Sequence, residues 1–297
     1  MQATSVYIDG SQCDGCGLCV RVCPARAFTL EEGRAVVAGE CSLACEHCAA
    51  VCPRQAIEVD IEPAESLLCE SFAAAGRVEP VSPPALFALL RHRRSCRVYR
   101  EKEVPLPLLK DLVRAGITAP SGTNSQAWSF TVIPNREKLL DFGSAIAVFY
   151  EQLNRLAEKG WLRRGLRFCR RPELENYYRE YYESVREGLE SWRRGSDDRL
   201  FHGARAAILV GSRPGASCPV EDALLAAGQI ILVAESLGLG SCLIGFAVEA
   251  LARDKKIKRQ LGIPAEEKIH AVIALGWPAI KYQRPTARRR IPLRVVY

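Results

Sequence analysis

No lysine occurs in the first 62 residues of this 297-residue chain, and no basic stretch followed by an apolar run opens it. The start, MQATSVYIDG, therefore lacks the marks of a secretory signal. Together with an odd total of 13 cysteines, this argues against a secreted disulfide framework and favours a cytoplasmic chain with thiols read as metal ligands. A long unbroken apolar segment is also missing. Residues 223–252 come nearest, but Gln229, Glu235 and Glu249 interrupt them, and Gly238 and Gly240 break the run. A spanning helix needs about 20 apolar residues, so a membrane partner is not expected. No recognition helix, zinc finger or RNP-type signature is present, which removes nucleic acid as well. With 25% charged and 48% apolar residues, a substantial core can form and wholesale disorder is excluded.

What the chain does contain is unevenly divided. Residues 1–62 hold four Arg against nine acidic residues, a net of −5; the chain total of +7 leaves +12 for residues 63–297. An acidic head on a basic body suits self-docking or an anionic cofactor. Eight cysteines lie between Cys13 and Cys52, while Cys69, Cys96, Cys169, Cys218 and Cys242 are scattered.

The cysteine-rich segment is a tandem. CVRVCPARAFTL at 19–30 aligns with CAAVCPRQAIEV at 48–59, each Cys-x3-Cys-Pro before a β-rich run. The first half carries Cys13, Cys16, Cys19 and Cys23; the second carries Cys41, Cys45, Cys48 and Cys52. Two tetrahedral zinc sites are the competing reading, but zinc ribbons space their pairs widely and do not repeat this pattern. The segment resembles a two-cluster [4Fe–4S] bacterial ferredoxin over residues 5–62. The resemblance implies that one cluster takes Cys13, Cys16, Cys19 and Cys52, and the other Cys41, Cys45, Cys48 and Cys23. The second half departs by one extra residue between its first two cysteines. His47, between ligand cysteines, is read as a solvated residue or a tuner of potential.

Residues 63–82 read as a linker with a short helix at 64–75. Ser82-Pro83 is a helix start, and the helix should run to about Arg94. Beyond it the pattern gives helix 106–116, strand 128–133, a helical stretch 136–195, strand 205–211, helix 220–237, strand 241–244, helix 248–260 and strand 268–275. That alternation argues for an α+β or α/β layer around a central sheet.

Three short stretches carry chemistry. Arg93-Arg94-Ser95-Cys96-Arg97 offers planar guanidinium forks for a phosphate, although an Arg run is commonly a solvated face. Ala119 to Gln126 is a loop of small hydroxyl and amide residues, suited to a flat ligand's edge or to an ordinary turn. Leu237 to Phe246 ends a helix on glycines and continues extended; it is not a GxGxxG fingerprint.

In this order the three stretches resemble the nitroreductase family of flavin enzymes over residues 83–297. The resemblance implies an α+β fold: a ferredoxin-like domain at 1–62, the linker, and a nitroreductase-like α/β sandwich at 83–297. It also implies FMN in an intertwined homodimer. Arg93, Arg94, Ser95 and Arg97 would hold the phosphate and ribityl end. Pro120, Ser121, Gly122, Asn124 and Gln126 would come from the partner subunit's loop. Leu243, Ile244 and Gly245 would cross near the ring, with Arg288 and Arg290 closing on the phosphate. A helical insertion at about 145–200 departs from shorter members. It reads as a surface hairpin or as a lid that selects substrate, with Tyr177, Tyr178, Tyr181 and Tyr182 on one face.

The expected activity is an FMN-dependent oxidoreductase. Its two [4Fe–4S] clusters would take electrons from an external ferredoxin or other low-potential donor and pass them through FMN. The acceptor would be a small nitro compound, quinone or activated alkene. Two readings compete: the reverse relay, with the clusters exporting electrons, and a non-enzymatic redox sensor or electron-transfer module. No catalytic acid or nucleophile is assigned. Cys242, beside the expected ring contacts, is weighed as redox-active against an ordinary buried thiol.

Overall fold

In the computed structural model, residues 4–61 and 81–296 are described; the expected helix at 64–75, most of the linker and Cys69 lie outside them. The described residues fall into two compact units. One is residues 4–61 with Pro120–Gln126; the other is residues 81–119 with 127–296.

The first unit runs β1 (Val6–Ile8), α1 (Leu18–Val22), β2 (Phe28–Glu31), β3 (Arg34–Val37), α2 (His47–Val51) and β4 (Ile57–Val59). β1 pairs antiparallel with β4, and β2 with β3. The tandem in the sequence is written again in the backbone. Gly17 and Glu46, the residues entering α1 and α2, are both left-handed, with φ of 71° and 53°. Cys23 and Cys52 leave the two helices with ψ of 110° and 114°, and Arg26 and Gln55 each take φ 52°. Non-glycine residues held in that region are uncommon, so matching positions in both halves reflect a shared local geometry. Cys19 and Cys48 are buried with Phe28, Ile57 and Val59. Asn124 belongs to this unit: its Nδ2 donates to the Leu43 and Ala44 carbonyls at 2.9 and 3.1 Å.

The second unit is built on a four-stranded antiparallel sheet ordered β5–β6–β8–β7. These strands are β5 (Trp128–Ile133), β6 (Ala206–Ser212), β7 (Gly240–Leu243) and β8 (Lys268–Gly276). Every residue of β6 is buried, because helices cover both faces. Alternation along the strands divides two cores. Ala206, Ile208, Val210, Ala271, Ile273 and Leu275 meet α4 (Leu106–Gly116) and α9 (Pro219–Ser236). Ala207, Leu209, Val272 and Ala274 meet α5 (Arg136–Ala157), α10 (Gly245–Arg253) and α11 (Lys255–Gln260). The helix expected over 248–260 is thus two, since Asp254 is extended and its carboxylate caps the Lys256 N–H at 2.8 Å. At the front, α3 (Pro83–His92) starts as expected, with Ser82 Oγ accepting from Ala85 N at 3.4 Å. Among the described residues no helix is long and apolar enough to cross a membrane.

The region read as a hairpin is four helices. α5 runs unbroken through residue 145, and its Leu139, Phe142, Ile146 and Tyr150 are core residues. α6 (Gly160–Phe168), α7 (Glu173–Glu180) and α8 (Tyr182–Arg193) follow. α8 is clamped to α5 where Trp192 lies over Gly143, so closely that a Cβ there would meet the indole at 2.5 Å.

Candidate functional site

The first unit gathers sulfur. Cys13, Cys16, Cys19 and Cys52 line one recess with Gly17, Ala56 and Ile57. The sulfurs also accept backbone hydrogen bonds: Ala27 N to Cys23 Sγ and Ala56 N to Cys52 Sγ, both 3.3 Å, and Ala35 N to Cys13 Sγ at 3.4 Å. Such N–H donors stabilise thiolate charge and tune an iron–sulfur centre. Burial pushes the Cys19 and Cys48 thiols above their usual range; Cys13 and Cys16 add to it at Cys19, and Cys41 and Cys45 at Cys48. A bound cationic group would favour the thiolate form of these sulfurs. Among the described residues no three such side chains converge at single-ion distance. Four thiols lining one recess are a donor set that fits sulfur ligation of an iron–sulfur group. His47 is exposed at the first turn of α2.

In the second unit, a cavity of about 680 Å³ is lined by Arg97, Cys242, Leu243, Ile244 and Gly245 on one side. Tyr150, Tyr177, Tyr181, Phe246 and His202 also line it, with polar groups that include Glu173, Asn176 and Arg253, a size and lining suited to a cofactor or small ligand. Backbone geometry fixes the edge: Ile244 N donates to Val272 O at 2.8 Å, and β7 ends there. Burial holds the His202 imidazole below its usual pKa, with the Arg97 charge adding to the effect, which favours the neutral ring.

The Arg93–Arg97 segment is extended beside β7. Ser95 bridges Ser241 in parallel, and Cys96 N donates to Ser241 O at 2.9 Å. Extended backbone sends successive side chains to opposite faces. Arg97 opens into the first cavity, whereas Arg94 and Cys96 line a second one of about 390 Å³ with Arg100, Lys102, Glu235 and Trp277. Arg94 Nη1 donates to Arg93 O at 3.1 Å, but its Nε and Nη2 are buried without a partner. An orphaned buried guanidinium is costly, and an anion such as a phosphate is the group that would satisfy it. The arginine cluster therefore fits a phosphate-bearing cofactor, although the four expected residues do not all face one space.

The other expected residues are placed as follows. Leu243, Ile244 and Gly245 stand together in the first cavity with Arg97. Pro120, Ser121, Gly122, Asn124 and Gln126 group with the first unit. Arg288 and Arg290 are exposed on the C-terminal segment, where Arg288 donates to Thr286 Oγ1 at 3.4 Å. Cys242 is 4% exposed and burial raises its thiol pKa, the profile of an unreactive core cysteine.

Sequence reasoning missed Tyr150, Phe246 and His202 as cavity residues. It also placed four tyrosines on one face, whereas the structure splits them into pairs. Tyr177 and Tyr181 face the cavity, while Tyr178 packs at a tilt against Tyr182, with the Arg163 guanidinium 3.5 Å above the Tyr178 ring. The cause is the break at Tyr181, where φ is −125° and α7 gives way to α8.

A family model described as "4Fe-4S binding domain" matches residues 6–29, and one described as "Nitroreductase family" matches residues 90–277, more than half of the chain. Among curated proteins the chain is similar to an NADH dehydrogenase of Thermus thermophilus, 28% identical over 200 residues covering 63% of this chain and 83% of that protein. It is also similar to a 4-nitrobenzoate reductase of a Nocardioides species, 29% identical over 208 residues covering 65% and 80%. A solved nitroreductase with bound FMN from Desulfitobacterium hafniense shares the fold, with a TM-score of 0.52 and 24% identity over 71% of this chain and 98% of that one.

Proposed function

The chain belongs to the nitroreductase family and carries a 4Fe–4S binding domain, and from that premise we propose that two [4Fe–4S] clusters feed electrons to FMN for reduction of a small organic acceptor. The observation that carries the reading is the union, on one chain, of a flavin oxidoreductase body with a sulfur-rich unit whose backbone repeats itself at Gly17/Glu46, Cys23/Cys52 and Arg26/Gln55. That repetition supports two equivalent cluster sites, ligated by Cys13, Cys16, Cys19 and Cys52 and by Cys41, Cys45, Cys48 and Cys23.

FMN, when bound, accepts electrons singly and delivers them in pairs. The protein's part is binding and positioning. Leu243, Ile244 and Gly245 present backbone to the ring, and Arg97 places positive charge in the same cavity. Arg93, Arg94 and Ser95 hold the phosphate and ribityl end, with Arg288 and Arg290 closing on it. In a homodimer, the loop of Pro120, Ser121, Gly122, Asn124 and Gln126 serves the second copy's ring. Asn124 Oδ1 is the group available there, since its Nδ2 is committed to Leu43 and Ala44. The donor is a reduced ferredoxin or similar low-potential carrier. The similarity to a 4-nitrobenzoate reductase supports a nitro group as acceptor: two electrons and two protons convert it to a nitroso group and water.

Anaerobic purification with iron, sulfide and flavin analysis tests the cofactor set. The expected content is roughly eight irons and one FMN per chain. Four irons would sink the second cluster, and zinc in place of iron would sink both.

A further inference from the structure

Resting on the cluster-to-flavin relay, we propose its order: the cluster of Cys41, Cys45, Cys48 and Cys23 hands electrons to FMN, and the cluster that includes Cys16 takes them from the donor. Asn124 is the positioning residue, tying the Cys41–Cys45 loop to segment 120–126, which serves a flavin ring. The two halves of the tandem are alike in backbone but differ in what covers them. One residue before Cys16 and Cys45 stand Gly15 and Ala44, both left-handed, with φ of 73° and 44°. The first half closes on its own β2–β3 turn there, since a Cβ on Gly15 would lie 1.9 Å from the Gly33 carbonyl oxygen. The second half meets a different segment. The carbonyls of Leu43 and Ala44 accept from Asn124 Nδ2 at 2.9 and 3.1 Å.

The extra residue of the second run lies at this contact. Two residues separate Cys13 from Cys16 and three separate Cys41 from Cys45, and the longer loop presents two adjacent carbonyls to one amide. Segment 120–126 is itself held in shape. Thr123, Asn124 and Gln126 are left-handed at φ 50°, 53° and 43°, a strain that persists only where the surroundings over-determine it. Asn124 N donates to Ser121 O and Gln126 N to Ser121 Oγ, both at 3.0 Å. Exposure divides the same way: Cys16 is exposed, whereas its counterpart Cys45 is half-buried. An open cluster suits a docking carrier, and a covered one suits an internal hand-over. Each hand-over moves one electron, so the second cluster is oxidised by one and the low-potential carrier restores it through the first. Two hand-overs, with protons from water, reduce one FMN.

The test mixes anaerobic, FMN-loaded protein with dithionite, freeze-quenches it for EPR of reduced clusters, and follows the flavin by absorbance. Cys16→Ser, which keeps the second cluster, should bleach its flavin in step with the wild type. Cys45→Ser, which keeps the first, should accumulate reduced cluster while its flavin stays oxidised. Two further variants retain every cluster cysteine. Deleting Leu43 restores the two-residue spacing of the first run, and Asn124→Asp keeps Oδ1 but loses the donor. Both should hold wild-type iron and show both clusters reduced ahead of a delayed flavin. Flavin bleaching at the wild-type rate in Cys45→Ser, or in both the Leu43 deletion and Asn124→Asp, overturns this inference alone. A wild type that holds clusters and FMN but passes no electrons between them overturns the relay beneath it too.

Discussion

Removing one oxygen atom, by Tyr177→Phe, should separate a structural tether from a surface contact. The Tyr177 hydroxyl joins α7 to α5 by donating to Asn154 Oδ1 at 2.6 Å. Asn154 is only 6% exposed, so in the variant its amide oxygen stays buried and loses its partner. Leaving a buried acceptor unsatisfied costs about 1–3 kcal/mol. The ring itself remains, and with it the stacking on Tyr150 at 6.4 Å, so no cavity is created. In a domain of this size each kcal/mol lowers the thermal midpoint by about 2–4 °C, which predicts a fall of about 2–12 °C. The control is Tyr182→Phe, which loses a bond of 2.9 Å to Glu158 in an exposed setting. Surface changes of that kind stay within about 0.5 kcal/mol. Scanning fluorimetry of both FMN-loaded variants under anaerobic conditions reads the difference. Equal shifts would refute the claim that burial of Asn154 sets the cost.

Three further outcomes follow from the geometry. Gly15 takes φ +73°, and a Cβ there would lie 1.9 Å from the Gly33 carbonyl oxygen, so Gly15→Ala should deplete iron while leaving FMN content intact; full iron occupancy would contradict this. A Cβ on Gly240 would press on Cys96 at 2.6 Å, so Gly240→Ala should cost about 1–3 kcal/mol by overpacking, seen as a lower urea midpoint at unchanged slope. Burial raises the phenol pKa values of Tyr99, Tyr150 and Tyr177 well above 10, so above about pH 10 the unfolded chain releases protons that the native state keeps. Stability should be full below that pH and fall as pH rises through it; a urea midpoint unchanged between pH 8 and 10.5 would sink the argument.

Local signals carried far in this chain. Ser82-Pro83 marked a helix start because cap and ring-fixed φ act within one turn, and the two Cys-x3-Cys-Pro runs marked a tandem that the dihedrals repeat. The fully buried β6 was readable as a strand from its composition, since helices on both faces remove the need for polar alternation. What was not legible depended on partners distant in sequence. Only the Ser95–Ser241 bridge sends Arg94 and Arg97 into different cavities. Helical spacing put four tyrosines on one face, but the chain breaks at Tyr181, whose ring meets Phe246 edge-on, and the break divides them. The loop at 120–126 gave no hint that Asn124 is bound to the carbonyls of Leu43 and Ala44.

The relay from cluster to flavin is tested most directly by Cys16→Ser. Stopped-flow absorbance follows FMN reduction after anaerobic mixing of wild-type and variant holoprotein with a reduced ferredoxin-type donor. Equal FMN content and equal reduction by dithionite serve as the baseline. Rapid flavin reduction in the wild type and its loss in Cys16→Ser is the predicted result. A variant that lacks the cluster yet reduces its FMN at the wild-type rate would contradict the account.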